Sequence, residues 1–285
     1  MNGLLFINKE PNKTSRDIVN EICKKLNTKK VGHTGTLDPM ATGVLIICVG
    51  AATKLVDIIT SKEKVYEAEI TLGIKTNTLD TTGEILTTQA TTKTKEEIEQ
   101  VLNSMIGTYS QQVPSYSAVK INGKKLYEYA REKIQIELPS RQVEIKSLEL
   151  ISDIIYENNK TIFKIRTKVS KGTYIRSLIN DIATKLNTIG VMSSLTRTKQ
   201  GNISIDDCIN LKDIETLHPI EELFCDKQKT MINEILEKKI LNGSVLEDTI
   251  NQEKVYFYNN NNKLIAIYKK EDNKIKPWKM FLENR

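Results

Sequence analysis

Metal-binding side chains are scarce in this chain. Its two histidines, His33 and His218, lie far apart in sequence, and neither has a second His, Cys or acid at the spacing of a zinc site. The four cysteines, Cys23, Cys48, Cys208 and Cys225, show no close pairing and no metal-ligand spacing, so reduced structural thiols are expected. Neither Gly-x-Gly-x-x-Gly nor Gly-x-x-x-x-Gly-Lys occurs, which removes the usual cradles for dinucleotides and nucleoside triphosphates. Chemistry without a metal or cofactor is the expectation. No apolar run reaches the length a bilayer requires, and Met1 to Lys9 lacks a basic region followed by a long apolar stretch. The chain therefore reads as a cytoplasmic protein with no membrane partner.

What is present is enough for a full core. The 285 residues are 39% hydrophobic, with room for one large domain and a small one. A formal net charge of +6 favours a polyanionic partner, although many ordinary proteins carry a similar excess of lysine.

Local patterns alternate irregularly between strand and helix. Leu4 to Ile7 is a short apolar strand, and Ser15 can cap a helix in which Ile18, Ile22 and Leu26 recur at helical spacing. Val44 to Val49 is an unbroken apolar run between Gly43 and Gly50, the pattern of a fully buried strand. In Val65 to Leu72, residues Tyr66, Ala68, Ile70 and Leu72 share one face, so this strand is half-buried. Thr94 to Glu97 is a capping box that opens a helix carrying Ile98, Val101, Leu102, Met105 and Ile106, closed by Gly107. Strand patterns return at Val143 to Leu150 and at Ile162 to Val169, where Lys164, Arg166 and Lys168 fall on one face. A further helix follows Gly172-Thr173, with Arg176 in its first turn and off its apolar stripe. This irregular order predicts a mixed α+β domain, not a doubly wound sheet. After about residue 227 come a short helix near Asn233 to Leu241 and two strands around four asparagines, a small β-rich module.

The chemistry concentrates in Gly32-His33-Thr34-Gly35-Thr36-Leu37-Asp38-Pro39. Two glycines permit close backbone approaches, and Pro39 biases Asp38 away from helix, so the loop presents its acid beside a buried strand. Read in isolation, the same residues are a turn whose Asp caps a backbone N–H. The segment through Met40-Ala41-Thr42-Gly43-Val44-Leu45 and Gly50-Ala51-Ala52-Thr53-Lys54 resembles the catalytic block of the tRNA pseudouridine synthase B family. The resemblance spans most of residues 3 to 200 and implies a pseudouridine synthase catalytic domain. It makes Asp38 the catalytic carboxylate of a cofactor-free isomerisation of uridine in the T-loop of tRNA, at position 55.

Further segments carry the same resemblance. Lys171-Gly172-Thr173-Tyr174-Ile175-Arg176 looks like the segment whose Arg pairs with the catalytic Asp and whose Tyr lines the pocket. Pattern alone would make Arg176 an exposed first-turn residue. Tyr66 matches the tyrosine that stacks on the flipped base, though its periodicity is that of a core residue. The resemblance also implies substrate contacts from His33, Leu195 and Asp80, each with an ordinary alternative (solvated loop histidine, core leucine, turn aspartate), and from Lys9 in the first segment. Between Val113 and Arg131, Tyr116, Tyr127 and Tyr129 alternate with Lys120, Lys124, Lys125 and Arg131. Aromatics among cations suit RNA loops; the alternative is an amphipathic helix with a solvated basic face. In context the stretch is similar to the family's RNA-gripping insertion, near residues 109–141.

One departure is plain. The chain reads Lys9-Glu10-Pro11-Asn12-Lys13-Thr14-Ser15 where the family has Lys-Pro-x-Gly before Thr-Ser, so the glycine is replaced by Asn12, a residue that tolerates left-handed backbone. The implied organisation is a catalytic domain over residues 1–227 and a PUA-like RNA-binding domain over 228–285. The implied working form is a stand-alone monomer with the T-arm of tRNA as its partner and no protein partner. Two rival readings fit the same residues: an RNA chaperone for which Asp38 is only a turn residue, and a carboxylate-dependent nucleoside hydrolase, which needs two facing acids.

Overall fold

The structure is a computed structural model and describes residues 1–281. Its principal sheet is built from β1 (Gly3–Lys9), β2 (Thr42–Val49), β3 (Lys64–Leu72), β4 (Gly107–Gln112), β5 (Ser140–Leu150), β6 (Lys160–Val169) and β7 (Gly190–Gln200). Their spatial order is β1-β2-β7-β3-β6-β5-β4, and short strands at Val31–His33, Ile155–Glu157 and Ile203–Ser204 add to it. All neighbours along this path run antiparallel except β2 and β7, which are parallel where Thr42 and Gly43 meet Thr196 and Arg197. The mixed α+β sheet expected from the sequence is thus the architecture found.

Strand β2 lacks polar alternation because both its faces are covered. Leu45, Ile47 and Val49 join the main core with Ile18, Ile22, Ala68, Ile70 and Leu178. Val44, Ile46 and Cys48 join a second core with Tyr256, Tyr258, Leu264 and Ile267 from the C-terminal region. A strand with helices on one side and a second sheet on the other has no solvent face, so its pattern is continuous. Burial in this second core pushes the Cys48 thiol up to about 12. All four cysteines are free.

Strand β3 keeps the alternation expected of it. Its Tyr66, Ala68, Ile70 and Leu72 enter the main core, while Glu67 and Glu69 stand directly across from Arg166 and Lys164 of β6. Arg166 bonds Glu67 at 2.9 Å and Lys168 reaches Glu63 at 2.8 Å. The cationic face of β6 is therefore matched by carboxylates, and such exposed pairs contribute only about 0.2–1 kcal/mol each.

Three helices cover the core. In α1 (Ser15–Lys25) the cap is Thr14, one residue before the expected Ser15, in a reciprocal box with Asp17. Ser15 is displaced from the cap because its hydroxyl accepts the Leu37 N–H at 2.9 Å, tying the helix start to the Asp38 loop. In α2 (Lys95–Ser104) Thr94 and Glu97 form the expected box, but the helix stops at Ser104, and Gly107, at φ 120°, opens β4 instead of closing α2. In α3 (Ile175–Lys185) the apolar stripe packs inward, and Asn187 beyond its end is left-handed at φ 52°.

Between β4 and β5 the chain leaves the sheet at Gln112 and returns at Ser140, two residues paired with each other. The excursion is not one amphipathic helix. It holds a small hairpin, Lys120–Ile121 against Lys124–Lys125, and a short helix, Leu126–Arg131. Asn122 and Gly123 at its tip, with φ of 51° and 82°, are the residue types that accept such a turn.

The second sheet comprises β8 (Lys229–Met231), β9 (Leu246–Glu247), β10 (Lys254–Tyr258), β11 (Leu264–Glu271) and β12 (Lys274–Met280), in the order β8-β10-β11-β12-β9. Helix α4 (Glu234–Leu241), capped by Asn233, accompanies it. This is the small β-rich, PUA-like module.

Candidate active site

The loop between His33 and Thr42 has little regular structure and is held by side chains from elsewhere. Besides Ser15, the Asn12 N–H donates to the Pro39 carbonyl at 2.9 Å. Asn12 adopts φ 65°, so asparagine supplies the left-handed turn where the family pattern has glycine. Lys9, expected among the substrate contacts, is instead fully buried: its ammonium donates to the carbonyls of Glu10 (2.9 Å), Pro39 (3.1 Å) and Ala41 (2.7 Å). It holds the loop from beneath. Burial lowers this amine to about 8, partly opposed by the charge of Asp38.

Asp38 meets Arg176 across this loop. The guanidinium donates from Nε to Oδ2 and from Nη2 to Oδ1, both at 2.9 Å, a bidentate pair. Its other donors go to the carbonyls of Thr78 (2.9 Å, from Nη1) and Tyr116 (3.0 Å, from Nη2). Arg176 is 6% exposed and the Asp38 side chain 30%, so the cation is locked inside while the carboxylate keeps an open side. The arginine is buried, not an exposed first-turn residue, because its α3 turn faces the segments of Thr78 and Tyr116.

Asp80 lies behind the pair. Its Oδ1 accepts from the Thr78 hydroxyl (2.8 Å), the Thr82 N–H (2.9 Å) and the Thr82 hydroxyl (2.5 Å), while Oδ2 is 3.9 Å from Arg176 Nε. Turn chemistry and proximity to the site are thus properties of the same carboxylate. Leu79, next to it, is left-handed at φ 63°, an uncommon conformation for such a residue that holds Thr78 and Asp80 toward Arg176.

Tyr66 and Leu195 are both nearly buried and belong to one apolar cluster with Leu37, Ala41 and Ile175, the neighbours of Asp38 and Arg176. Tyr174 precedes α3; Gln111 fixes its backbone from both sides, and the Arg141 guanidinium lies 5.1 Å over its ring. His33 is half-buried, and its Nδ1 accepts from the Gly35 N–H at 3.4 Å. Burial, with the charges of Arg197 and Arg16, holds its pKa below the usual histidine value, which favours the neutral ring.

The basic excursion adjoins the pair through the Tyr116 carbonyl. Lys125 and Arg131 flank the Tyr127 ring at 5.3 and 5.2 Å, and Lys124 stands 4.9 Å from the Tyr129 ring while pairing with Glu132. Lys120 is exposed. The small hairpin and the short helix after it therefore present cations and phenol rings together.

Several residues that hold the site carried no local signal in the sequence. Arg197 is 1% exposed, and Gln200 donates to the Thr34 carbonyl and hydroxyl, both at 3.0 Å. The Thr78 carbonyl is a backbone group that no side-chain pattern can mark. Among the described residues, no cluster of three His, Cys, Asp or Glu side chains could hold a metal ion. A groove of about 980 Å³ lies elsewhere, lined in part by Asn2, Ala51, Ile220, Leu264 and Phe281, and none of the candidate residues lines it.

Comparison with known proteins bears on the family and the fold. The family model described as "TruB family pseudouridylate synthase (N terminal domain)" matches residues 23–175. The tRNA pseudouridine synthase B of Bacillus pumilus is 42% identical, with 100% of this chain and 99% of that protein covered. That of Bacillus subtilis is 44% identical over 87% of this chain and 84% of its own length. A chain solved in an H/ACA RNP bound to a substrate RNA containing 2'-deoxyuridine shares the fold at a TM-score of 0.72 and 24% identity, covering 99% of this chain and 85% of that one. The chain belongs to the TruB family of pseudouridylate synthases.

Proposed function

We propose that this protein is a stand-alone tRNA pseudouridine synthase that isomerises a uridine of the T-loop, position 55, without a cofactor. The observation that carries the reading is the Asp38 carboxylate, gripped on one edge by the buried Arg176 and open on the other. The names of its relatives support tRNA as the substrate.

The reaction breaks the bond between C1′ of the ribose and N1 of uracil, turns the base, and joins C1′ to C5. The C5 hydrogen leaves as a proton and N1 gains one, so the RNA keeps its mass. An ionised carboxylate serves this sequence as nucleophile toward the sugar or base, or as the base that removes a sugar proton. In each role it must be charged and fixed in direction, and a bidentate guanidinium supplies both conditions. The target nucleotide has to leave its stack, which costs a few kcal/mol, and stacking on Tyr66 against Leu195 offsets that by about 1 to 3 kcal/mol. His33 and Tyr174 complete the substrate-binding wall, and Asp80, buried behind it, steadies Arg176. Tyr116, Lys120, Lys124, Lys125, Tyr127 and Arg131 grip the RNA outside it, and the PUA-like module adds a second RNA contact.

Two other readings are less well supported. A hydrolase would need a second free acid, but the Oδ1 of Asp80 is committed to Thr78 and Thr82. A pure RNA chaperone would have no use for a buried arginine aimed at a half-open carboxylate. Tritium release from 5-tritiated uridine in a T-arm transcript tests all three, since only isomerisation detaches that hydrogen while leaving the RNA intact. Asp38→Asn is expected to abolish release with RNA affinity within a few fold; a fully active variant would refute the assignment. Free uracil would indicate hydrolysis, and binding without either product would indicate a chaperone.

A further inference from the structure

Arg197 is among the largest side chains in the protein to be fully buried, and it has no carboxylate partner among the described residues. Its Nε donates to the Val44 carbonyl at 2.7 Å and its Nη2 to the Gly35 carbonyl at 3.1 Å. Gly35 lies before Asp38 and Val44 after it, so one guanidinium spans the neck of the loop that carries the carboxylate. The backbone of Arg197 makes the same contact from its other side: residue 197 pairs with Gly43, and a Cβ at Gly43 would lie 2.3 Å from the Arg197 carbonyl. Across β3, Arg197 is in register with Tyr66, and a bulge follows between Arg197 and Lys199. Bulges re-aim side chains, and they recur next to active sites. Gln200, three residues on, bonds Thr34 at the start of the same loop.

A buried charge without a counter-ion is costly, and apolar residues of similar volume usually serve stability as well or better. A guanidinium is kept here for what a hydrocarbon cannot do, which is to bind two carbonyls at a set distance. We infer that Arg197 is a positioning residue of the reaction: it clamps Gly35 to Val44 and so sets where the Asp38 carboxylate stands relative to Tyr66. This rests on the reading of Asp38 as the catalytic carboxylate. Arg197 touches no reacting atom and acts through the loop.

The test uses the full chain with Arg197→Met and Arg197→Lys, a full-length tRNA transcript carrying 5-tritiated uridine, and three readouts. These are the single-turnover rate at saturating RNA, the RNA Kd, and hydrogen exchange of the Thr34, Leu37 and Ala41 amides. Displacement of a catalytic group by about 1 Å costs on the order of 100-fold, so the Met variant is expected to lose about that much rate with its Kd within about threefold. The Lys variant, whose single ammonium can hold one carbonyl, is expected to recover about tenfold. Exchange should rise at the three loop amides and not within α3. A Met variant that turns over at the wild-type rate, a loss confined to Kd, or unchanged loop exchange would overturn the proposal. If the Met variant does not fold, the Lys variant decides: a rate at least about tenfold down, with wild-type melting and Kd, upholds the clamp, and any other result removes it. A wild-type chain that releases no tritium would instead defeat the proposed function, while the exchange measurement would still read the clamp.

Discussion

Asp38 and Arg176, 138 residues apart in the chain, are joined by two parallel hydrogen bonds of 2.9 Å, and the same guanidinium also bonds the carbonyls of Thr78 and Tyr116. Lysine would keep the charge but not the fork. Arg176→Lys is therefore expected to lower the single-turnover rate by about 100-fold, with RNA affinity within a few fold, because misdirection and not binding is the defect. Single-turnover tritium release beside a filter-binding isotherm checks this. A Lys variant within threefold of the parent rate would show that fork geometry is dispensable.

Asp80 acts on Arg176 from 3.9 Å and anchors the Thr78 to Thr82 turn. Asp80→Asn keeps acceptor capacity at Oδ1 but removes the charge, so a milder loss of about tenfold in rate is expected, with little change in melting temperature. A loss as deep as that of Asp38→Asn would instead give Asp80 a direct chemical role.

Alkaline pH should loosen the loop through Lys9. Its amine is lowered by burial from an ordinary 10.5 to about 8, so the folded chain sheds this proton before the unfolded chain does. Between those pH values the unfolded state binds more protons, and this group's contribution to stability rises with pH. The neutral amine, however, has two N–H groups for three carbonyls, so turnover is expected to fall as pH passes about 8 without a parallel fall in melting temperature. Lys64 is lowered to about 8 in the same way but bonds the carbonyls of Thr60 and Lys62. Lys64→Met should therefore leave the alkaline limb in place. Rates at saturating tRNA from pH 7 to about 9.5 that stay flat would contradict the Lys9 assignment.

Gly43 is left-handed at φ 96° and lies against the Arg197 backbone where β2 meets β7. Gly43→Ala faces both an unfavourable conformation and a backbone clash, so destabilisation of a few kcal/mol is expected, well above the usual effect of a single substitution. Thermal or urea denaturation reads it directly. An unchanged midpoint would mean that the two strands separate without cost.

The cations of the hairpin and its following short helix should act on affinity alone. The double variant Lys120→Ala, Arg131→Ala is expected to raise KM for tRNA and leave the rate at saturation unchanged. The salt dependence of binding should flatten by about one unit for each phosphate no longer neutralised. An unaltered salt slope would place the RNA elsewhere on the surface.

Much of this architecture follows from local sequence for clear reasons. The β2 run, the alternation of β3 and the Thr94 box of α2 depend on side-chain periodicity and on bonds between residues three apart, which are visible in the chain itself. So does the left-handed turn at Asn12, since few residue types accept it. The Asp38 loop and the Tyr174–Arg176 segment stood out separately. Their meeting was implied only by the family resemblance and by no local pattern. The burial of Arg176, Lys9 and Arg197 was not legible at all, because a cation's default is solvent and only long-range packing supplies the backbone carbonyls that hold it inside. Sequence determined most of the strands, helices and turns around the core, but not β4, β7 or the small hairpin. The tertiary structure decided which carbonyls face which guanidinium, since those bonds join residues distant in the chain and leave no mark in local spacing.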